Sequence, residues 1–158
     1  MDSNSDLFES LNSLFKSRIV ILDGGMGTVI QQYKLTEDDF RAERFLNWEI
    51  NVKGNNDLLS LTQPDIIKTI HQQYLAAGAD IIETNTFNAN RISMADYKME
   101  SYCWELNYES AKIAQEAATE FTLLNKGKPR FVAGSMGPTN KTASMSPDVG
   151  NPGFRAVC

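Results

Sequence analysis

Cysteine and histidine are scarce in this sequence. Its 158 residues include two cysteines, Cys103 and Cys158, and one histidine, His71. Two cysteines, one of them at the last position, do not resemble the cysteine pattern of a disulfide-bonded domain. We therefore expect both to be reduced thiols. We expect His71 to be structural, because a metal site would need ligands that no second histidine can supply.

Long apolar runs and an excess of basic residues are missing as well. No run approaches the roughly 20 apolar residues of a membrane helix, and the N-terminus lacks the basic-then-apolar pattern of a signal peptide. Acidic residues outnumber basic ones by 20 to 15, and a formal charge of -5 repels a phosphate backbone. We therefore expect a cytoplasmic protein with neither a nucleic-acid nor a membrane partner.

Complete nucleotide-binding motifs are also absent. The glycine-rich stretch Asp23–Thr28 follows a short β-branched run, but G-x-G-x-x-G counted from Gly25 places Ile30 where the third glycine is required. No Gly-Lys-Ser or Gly-Lys-Thr is present. Glycines let backbone N–H groups approach an anion, so the stretch fits either an anion-binding loop or, with equal weight, a tight turn without a ligand.

The sequence does contain three short apolar runs that each end in small or polar residues. We predict strands at Arg18–Leu22, within Ala79–Phe87 and at Arg130–Ser135. Helix patterns occupy the intervals: an amphipathic helix in residues 1–17, one from Thr62 to Gly78 with Asp65 as its capping partner, and one over Tyr102–Leu124.

The intervening segments have weaker patterns. Gln31–Leu61 is irregular and fits a functional cover over a strand end, or an ordinary surface loop with similar weight. Asn88–Glu100 is predicted as a polar loop or short helix, and Ala143–Cys158 as a loop. On the Tyr102–Leu124 helix, the apolar side is predicted to be Trp104, Leu106, Tyr108, Ile113, Ala117, Phe121 and Leu124.

Helices of crossover length between strands predict a parallel sheet. The polar clusters after Leu22, Ile82 and Gly134 would then share one edge, as on the catalytic face of a (βα)8 barrel. Such a barrel takes roughly 250 residues, more than this chain has. The predicted fold class is therefore α/β: the N-terminal part of a (βα)8 TIM barrel with parallel strands, incomplete in this chain. Residues 1–17 would form a separate helix and residues 18–158 the partial barrel.

Four motifs resemble the start of the homocysteine S-methyltransferase family, in the family's order. They are Leu22–Thr28 (LDGGMGT), Lys53–Asp57 (KGNND), Gly78–Phe87 (GADIIETNTF) and Ala133–Thr142 (AGSMGPTNKT). The resemblance covers the chain from Arg18 to about Arg155 and is closest to the cobalamin-dependent members. Several long motifs in order are a more specific signal than one glycine-rich turn.

The resemblance implies a barrel that binds homocysteine at its C-terminal face and holds zinc through three cysteines. Zinc would bind the homocysteine sulfur as a thiolate, which accepts a methyl group from methylcobalamin, recharged by methyltetrahydrofolate on separate downstream domains, to give methionine. The homocysteine-binding residues implied are Asp23, Gly24, Gly25 and Met26, then Glu83, Thr84, Asn85 and Thr86, and finally Gly137 and Pro138.

The sequence departs from the family at the zinc ligands. Neither Cys103 nor Cys158 matches the family's zinc cysteines, so we expect no catalytic residue and no metal ligand in this chain, and neither zinc nor cobalamin bound to it. The chain alone should be inactive. The alternative is a non-catalytic, shortened product or interaction module with its third strand exposed. A small complete nucleotide-binding domain is weakened by the failed fingerprint.

Overall fold

Two short parallel strands lie side by side at the centre of the computed structural model, which describes residues 3–139, 141, 146 and 148–154. Strand β1 is Ile81–Glu83 and strand β2 is Phe131–Ala133, with Ile82 opposite Val132. The long helix Cys103–Leu124 connects them and packs on both. This parallel pair with a connecting helix confirms the predicted α/β class. In such a sheet the polar residues that follow both strands meet at one edge.

The first predicted strand is not formed as such. Arg18–Leu22 contributes one isolated parallel bridge, from Leu22 to Ile81, and the described residues contain a two-stranded sheet. The segment still follows β1, since Ile21 O accepts from the amides of Asp80 and Ile81. Its outer side is unpaired among the described residues, and Ile19 is 85% exposed. A segment that is hydrogen-bonded to one neighbouring strand over so few residues does not form a regular β-strand.

Helices make up most of the remaining described structure. Their bounds are α1 Ser3–Ser17, α2 Met26–Gln32, α3 Glu37–Arg41, α4 Leu59–Thr62, α5 Pro64–Ala77, α6 Arg91–Met94 and α7 Cys103–Leu124, with 3-10 turns at Asn56–Leu58, Ala95–Tyr97 and Glu100–Tyr102. None of the helices in the described ranges is long and apolar enough to span a bilayer.

The glycine-rich stretch and the segment after it are more helical than predicted. The predicted exit loop ends early, because α2 begins at Met26. The irregular segment Gln31–Leu61 contains α3 and most of α4, and one carboxylate organises its loop. Glu37 pairs with Arg41 at 2.6 Å and accepts from the amides of Val52 and Lys53. These hydrogen bonds hold the loop in place, and no local sequence pattern predicts them.

The predicted start of α5 is wrong by two residues. Thr62 ends α4, with its hydroxyl donating to Leu58 O, while Pro64 is the first residue of α5. Proline suits that position because the first helical N–H has no partner within the helix. The predicted end is confirmed: Gly78 adopts φ of 115°, a left-handed conformation that favours glycine.

The predicted apolar face of α7 is partly wrong. Trp104, Tyr108 and Leu124 are 72%, 53% and 81% exposed, and the two aromatic rings stack on each other at 5.0 Å. The buried face consists of Leu106, Ser110, Ile113, Ala114, Ala117 and Ala118. Small residues lie there because α5 and the strands approach closely.

Two clusters of buried side chains form the core. The larger one lies among α2 to α7 and includes Leu58, Ile67 and Met94. The smaller one lies between α5, α7 and the strands and is built around Leu75 and Ile82. Tyr74, which is half-buried, packs against both clusters and so joins the helical part to the sheet.

Candidate functional site

A pocket of about 310 Å³ lies at the carboxyl ends of the strands. It brings together the three segments whose polar clusters the sequence placed on one edge. Its lining is Asp23, Gly24, Gly25, Met26, Gly27, Glu83, Thr84, Asn85, Phe87 and Ser135. Seven of the ten residues predicted to bind a ligand therefore line one cavity. Carboxyl ends of parallel strands are where α/β folds bind ligands, since the sheet fixes the side chains and the loops leave them reachable.

The carboxylate of Asp23 has a hydrogen-bond partner at only one of its two oxygens. Its Oδ2 accepts from the Glu83 amide at 3.0 Å, whereas its buried Oδ1 has no hydrogen-bond partner among the described residues. Burial raises the pKa of this carboxyl to about 6, against the hydrogen bond from Glu83, which lowers it. A buried acceptor without a donor is costly unless a ligand supplies one.

The neighbouring backbone supplies donors. In the part of the chain that the structure describes, no hydrogen bond is donated by the amides of Gly24, Gly25 or Met26. All three residues line the pocket next to Asp23. The loop is backed by Tyr74, which a Cβ at Gly24 would meet at 3.1 Å. Free amides and an unsatisfied carboxylate side by side suit a ligand that carries both a negative and a positive group.

The threonines after β1 use their hydroxyls to connect the two strand-end loops. Thr84 and Thr86 lie 2.7 Å apart through their hydroxyl oxygens. The Ser135 amide donates to Thr84 Oγ1 at 3.0 Å, and Thr86 Oγ1 donates to Ser135 O at 2.8 Å. These hydroxyls are thereby engaged within the protein, so the two threonines shape the pocket wall.

Thr86, Gly137 and Pro138 are the predicted site residues that fall outside this lining. Thr86 is buried behind it, and Pro138 is exposed. Gly137 donates its amide to Phe87 O at 2.9 Å, and a Cβ there would lie 2.5 Å from the same oxygen. Gly137 therefore permits a close approach between the two strand-end loops. Asn140, Thr142 and Cys158 lie outside the described residues.

Sequence reasoning did not single out Ser60 and Ser110 behind Asn85, and it named Asn56 and Asp57 only as part of the KGNND motif. The side-chain nitrogen of Asn85 donates to Asn56 O and to the Ser60 hydroxyl, and Ser110 on α7 reaches both Ser60 and Asn85. Nearby, Asp57 accepts from the Asn88 amide, and burial raises its pKa to about 6. The KGNND motif was the signal that the sequence offered for Asn56 and Asp57.

A larger cavity of about 440 Å³ lies away from the strand ends. It is lined by Ile30, Gln31, Lys34, Leu35, Phe40, Lys53, Gly54 and Asn56. Its polar side chains are two exposed lysines and two amides, and no carboxylate lines it. The smaller pocket has the convergent polar groups that mark a ligand site, so we take it as the candidate site.

The residues described here do not fit a zinc ion, which the resemblance implies for the family. Among them, no group of three or more His, Cys, Asp or Glu side chains could hold a metal. Cys103 is a half-buried free thiol against the larger core cluster, and burial raises its pKa. His71 is fully buried, and both its ring nitrogens are unpartnered among the described residues.

The fold and the pocket define an α/β protein with a polar pocket at the carboxyl edge of a parallel sheet, the position at which barrel-type enzymes bind their ligands. The chain belongs to the homocysteine S-methyltransferase family, whose family model matches residues 20–157.

Solved structures of barrel-type methyltransferases resemble this chain in fold. Two crystal structures of the homocysteine methyltransferase MmuM from Escherichia coli, a metallated and an oxidized form, superpose with TM-scores of 0.62 and 0.63 at 22% and 23% identity. Each covers 81% of this chain, which in turn spans 41% and 40% of those chains. The described residues therefore correspond to part of a barrel.

Proposed function

We propose that this chain supplies the homocysteine-binding part of a methyltransferase of the methionine synthase type. The reaction transfers a methyl group from methylcobalamin, recharged by methyltetrahydrofolate, to homocysteine, and yields methionine. The proposal rests on family membership and on the motif resemblance to cobalamin-dependent members. We include in it a cytoplasmic location and the inactivity of the chain by itself.

One observation carries the substrate assignment. The pocket is lined by Asp23, whose enclosed carboxylate oxygen Oδ1 has no hydrogen-bond partner among the described residues, and by Gly24, Gly25 and Met26, whose amides donate no hydrogen bond there. An α-amino acid carries an ammonium and a carboxylate on adjacent atoms. The ammonium would donate to Asp23 and the carboxylate would accept from the loop amides, so each unsatisfied group gains a partner.

The contribution of this chain to the reaction is then binding and orientation. Asp23, Glu83 and the loop amides hold the amino-acid end, which leaves the thiol end directed away from these charged groups. Methylcobalamin supplies the electrophilic methyl group when it is bound. Orientation of this kind accelerates a transfer because the reacting atoms no longer lose their freedom in the transition state.

An NMR titration of the 158-residue chain with L-homocysteine tests the assignment. We expect saturable shifts of the amide signals of Gly24, Gly25 and Glu83, with Asp23→Asn weakening the affinity about tenfold or more, since a charged hydrogen bond contributes about 1.5–3 kcal/mol. Asp96→Asn is the matched control, because Asp96 is an exposed aspartate that does not line the pocket.

Two outcomes would overturn the assignment. One is the absence of any saturable shift in the wild-type chain at millimolar L-homocysteine. The other is equal affinity in the wild type and in Asp23→Asn. The interaction-module alternative predicts the first of these outcomes.

A further inference from the structure

The side-chain amide of Asn85 is fixed in one orientation by its surroundings. Asn85 lines the pocket and is 6% exposed. Its Nδ2 lies 2.8 Å from the carbonyl oxygen of Asn56. A carbonyl oxygen only accepts, so the amide atom facing it must be the NH2 group, and a flipped amide would set two acceptors against each other.

That orientation uses both donors of the amide and leaves its oxygen free. The second Nδ2 contact is to the Ser60 hydroxyl at 3.1 Å. Asn85 Oδ1 takes part in no hydrogen bond of the described residues, and it is not among their enclosed unpartnered atoms. It is therefore an open acceptor on a residue that lines the site.

Two buried serines hold this arrangement from behind. Ser60 on α4 is 2% exposed and Ser110 on α7 is fully buried. Their hydroxyl oxygens are 2.7 Å apart, and Ser110 also reaches the backbone oxygen of Asn85 at 3.1 Å. The two hydroxyl protons and one Nδ2 proton suffice to link Asn85, Ser60 and Ser110 in a closed ring. Removing either hydroxyl opens the ring and loosens the amide, which then depends more on its hydrogen bond to Asn56 O.

We infer that Ser60 and Ser110 are positioning residues that fix Asn85 Oδ1 as a second acceptor for the ammonium group of the bound amino acid. The inference rests on the proposed function and assigns a specificity role within its pocket. An amide whose oxygen faces the pocket favours a ligand that donates a hydrogen bond. An amide whose NH2 group faces the pocket would favour a ligand that accepts one. The serines would thus set the preference for a 2-amino acid over a deaminated analogue.

The test compares affinities for L-homocysteine and 4-mercaptobutanoate, which lacks only the amino group, by NMR titration of the 158-residue chain. In the wild type we expect a preference for L-homocysteine of about a hundredfold, since charged hydrogen bonds contribute about 1.5–3 kcal/mol. Ser110→Ala and, independently, Ser60→Ala should each reduce this ratio about tenfold. The ratio isolates positioning, because a general loss of stability weakens both ligands equally.

Ser17→Ala serves as the control, because it removes an exposed hydroxyl that donates to a backbone carbonyl, Leu14 O, on α1. Its ratio should equal that of the wild type. An unchanged ratio in both Ser60→Ala and Ser110→Ala, with measurable L-homocysteine binding, overturns the inference and leaves the proposed function standing. No binding of L-homocysteine to the wild type overturns both.

Discussion

At the scale of single residues, the Asp23 carboxyl gives the pocket a pH dependence. Burial raises its pKa to about 6, so it is charged above that pH and neutral below it. If Asp23 holds the ammonium of L-homocysteine, affinity should fall about tenfold per pH unit as the pH decreases below 6. Calorimetric titrations across this range should show the fall in the wild type.

The Asp23→Asn variant supplies the comparison. Its affinity should be weak and constant over the same range, since an amide does not titrate. The same pH dependence in both proteins would assign it to another group, of which Asp57 is the nearest candidate by pKa.

His71 gives the fold a second pH dependence, of known sign. Burial lowers its pKa from 6.5 to about 4 in the folded state. The unfolded chain therefore takes up this proton first as the pH falls, and stability is lost between pH 6.5 and pH 4. We expect a loss on the order of 3 kcal/mol, and His71→Leu should remove it from urea unfolding measured at each pH.

Asp23 and Asp57 act in the opposite direction. Their pKa values are raised to about 6 from 3.8, so the folded state binds these protons first and stability increases as the pH falls through that range. Both carboxyls are present in the wild type and in His71→Leu. The difference between the two stability curves therefore reports His71 alone, and a flat difference would contradict its unpartnered, buried state.

At the scale of elements, Gly137 sets how closely the two strand-end loops approach. A Cβ there would lie 2.5 Å from Phe87 O, closer than real contacts allow. We expect Gly137→Ala to lower the free energy of unfolding by about 2 kcal/mol, as overpacking typically does. Gly134→Ala, in the same loop, is the control because its Cβ would meet nothing within 4 Å. Equal stabilities of the two variants would exclude this packing explanation.

The opposite end of β1 is held by an ion pair. Arg18 binds the fully buried Asp80 through two hydrogen bonds of 2.7 and 2.9 Å, Lys128 lies 3.7 Å away, and Asp80 also accepts from the Ile21 amide. The hydrogen bond from Arg18 is the main cause that lowers the Asp80 pKa to about 2. The stability this provides is present above pH 3.8 and is lost as the pH falls through about 2.

Asp80→Asn should therefore destabilise the fold at neutral pH. We expect about 2 kcal/mol, below the range for fully enclosed pairs because the Arg18 side chain is 37% exposed. Hydrogen exchange should also accelerate at the Asp23 and Ile81 amides, which pair this edge segment with β1. The surface variant Asp96→Asn should stay within about 0.5 kcal/mol of wild type, and matching values for both variants would show that the pair is not stabilising.

At the scale of the whole molecule, ligand binding should be coupled to folding. The pocket is assembled from segments distant in the chain, including Asp23, Glu83 and Ser135, so it exists only in the folded state. L-homocysteine at a hundred times its dissociation constant should therefore add about 2.7 kcal/mol of stability, a rise of about 5–10 °C in melting temperature. Asp23→Asn at the same ligand concentration should show a smaller rise. Thermal unfolding measures both, and identical rises would disconnect the stabilisation from this pocket.

Local patterns were enough to predict the three longest helices and the two parallel strands of the described residues. The end of α5 at Gly78 could be predicted because one residue type, glycine, favours it. The long helix ending at Leu124 could be predicted because its apolar residues recur at helical spacing. The first strand could not be, since Arg18–Leu22 has the composition of a strand but is paired only along β1 among the described residues. Trp104 and Tyr108 were predicted to be on the apolar side of α7 but are exposed, because helical periodicity does not show which face other elements cover.

The sequence by itself determined the α/β class, the family and the residues that meet at the carboxyl edge, because these follow from strand order and from motifs that are local. Tertiary structure alone decided which polar groups remain free. Thr84 and Thr86 bond to the opposite loop, while Asp23 Oδ1 and Asn85 Oδ1 stay without partners among the described residues. Hydrogen-bond partners come from any part of the chain, and Ser110, 25 residues beyond Asn85, is one that spacing could not predict.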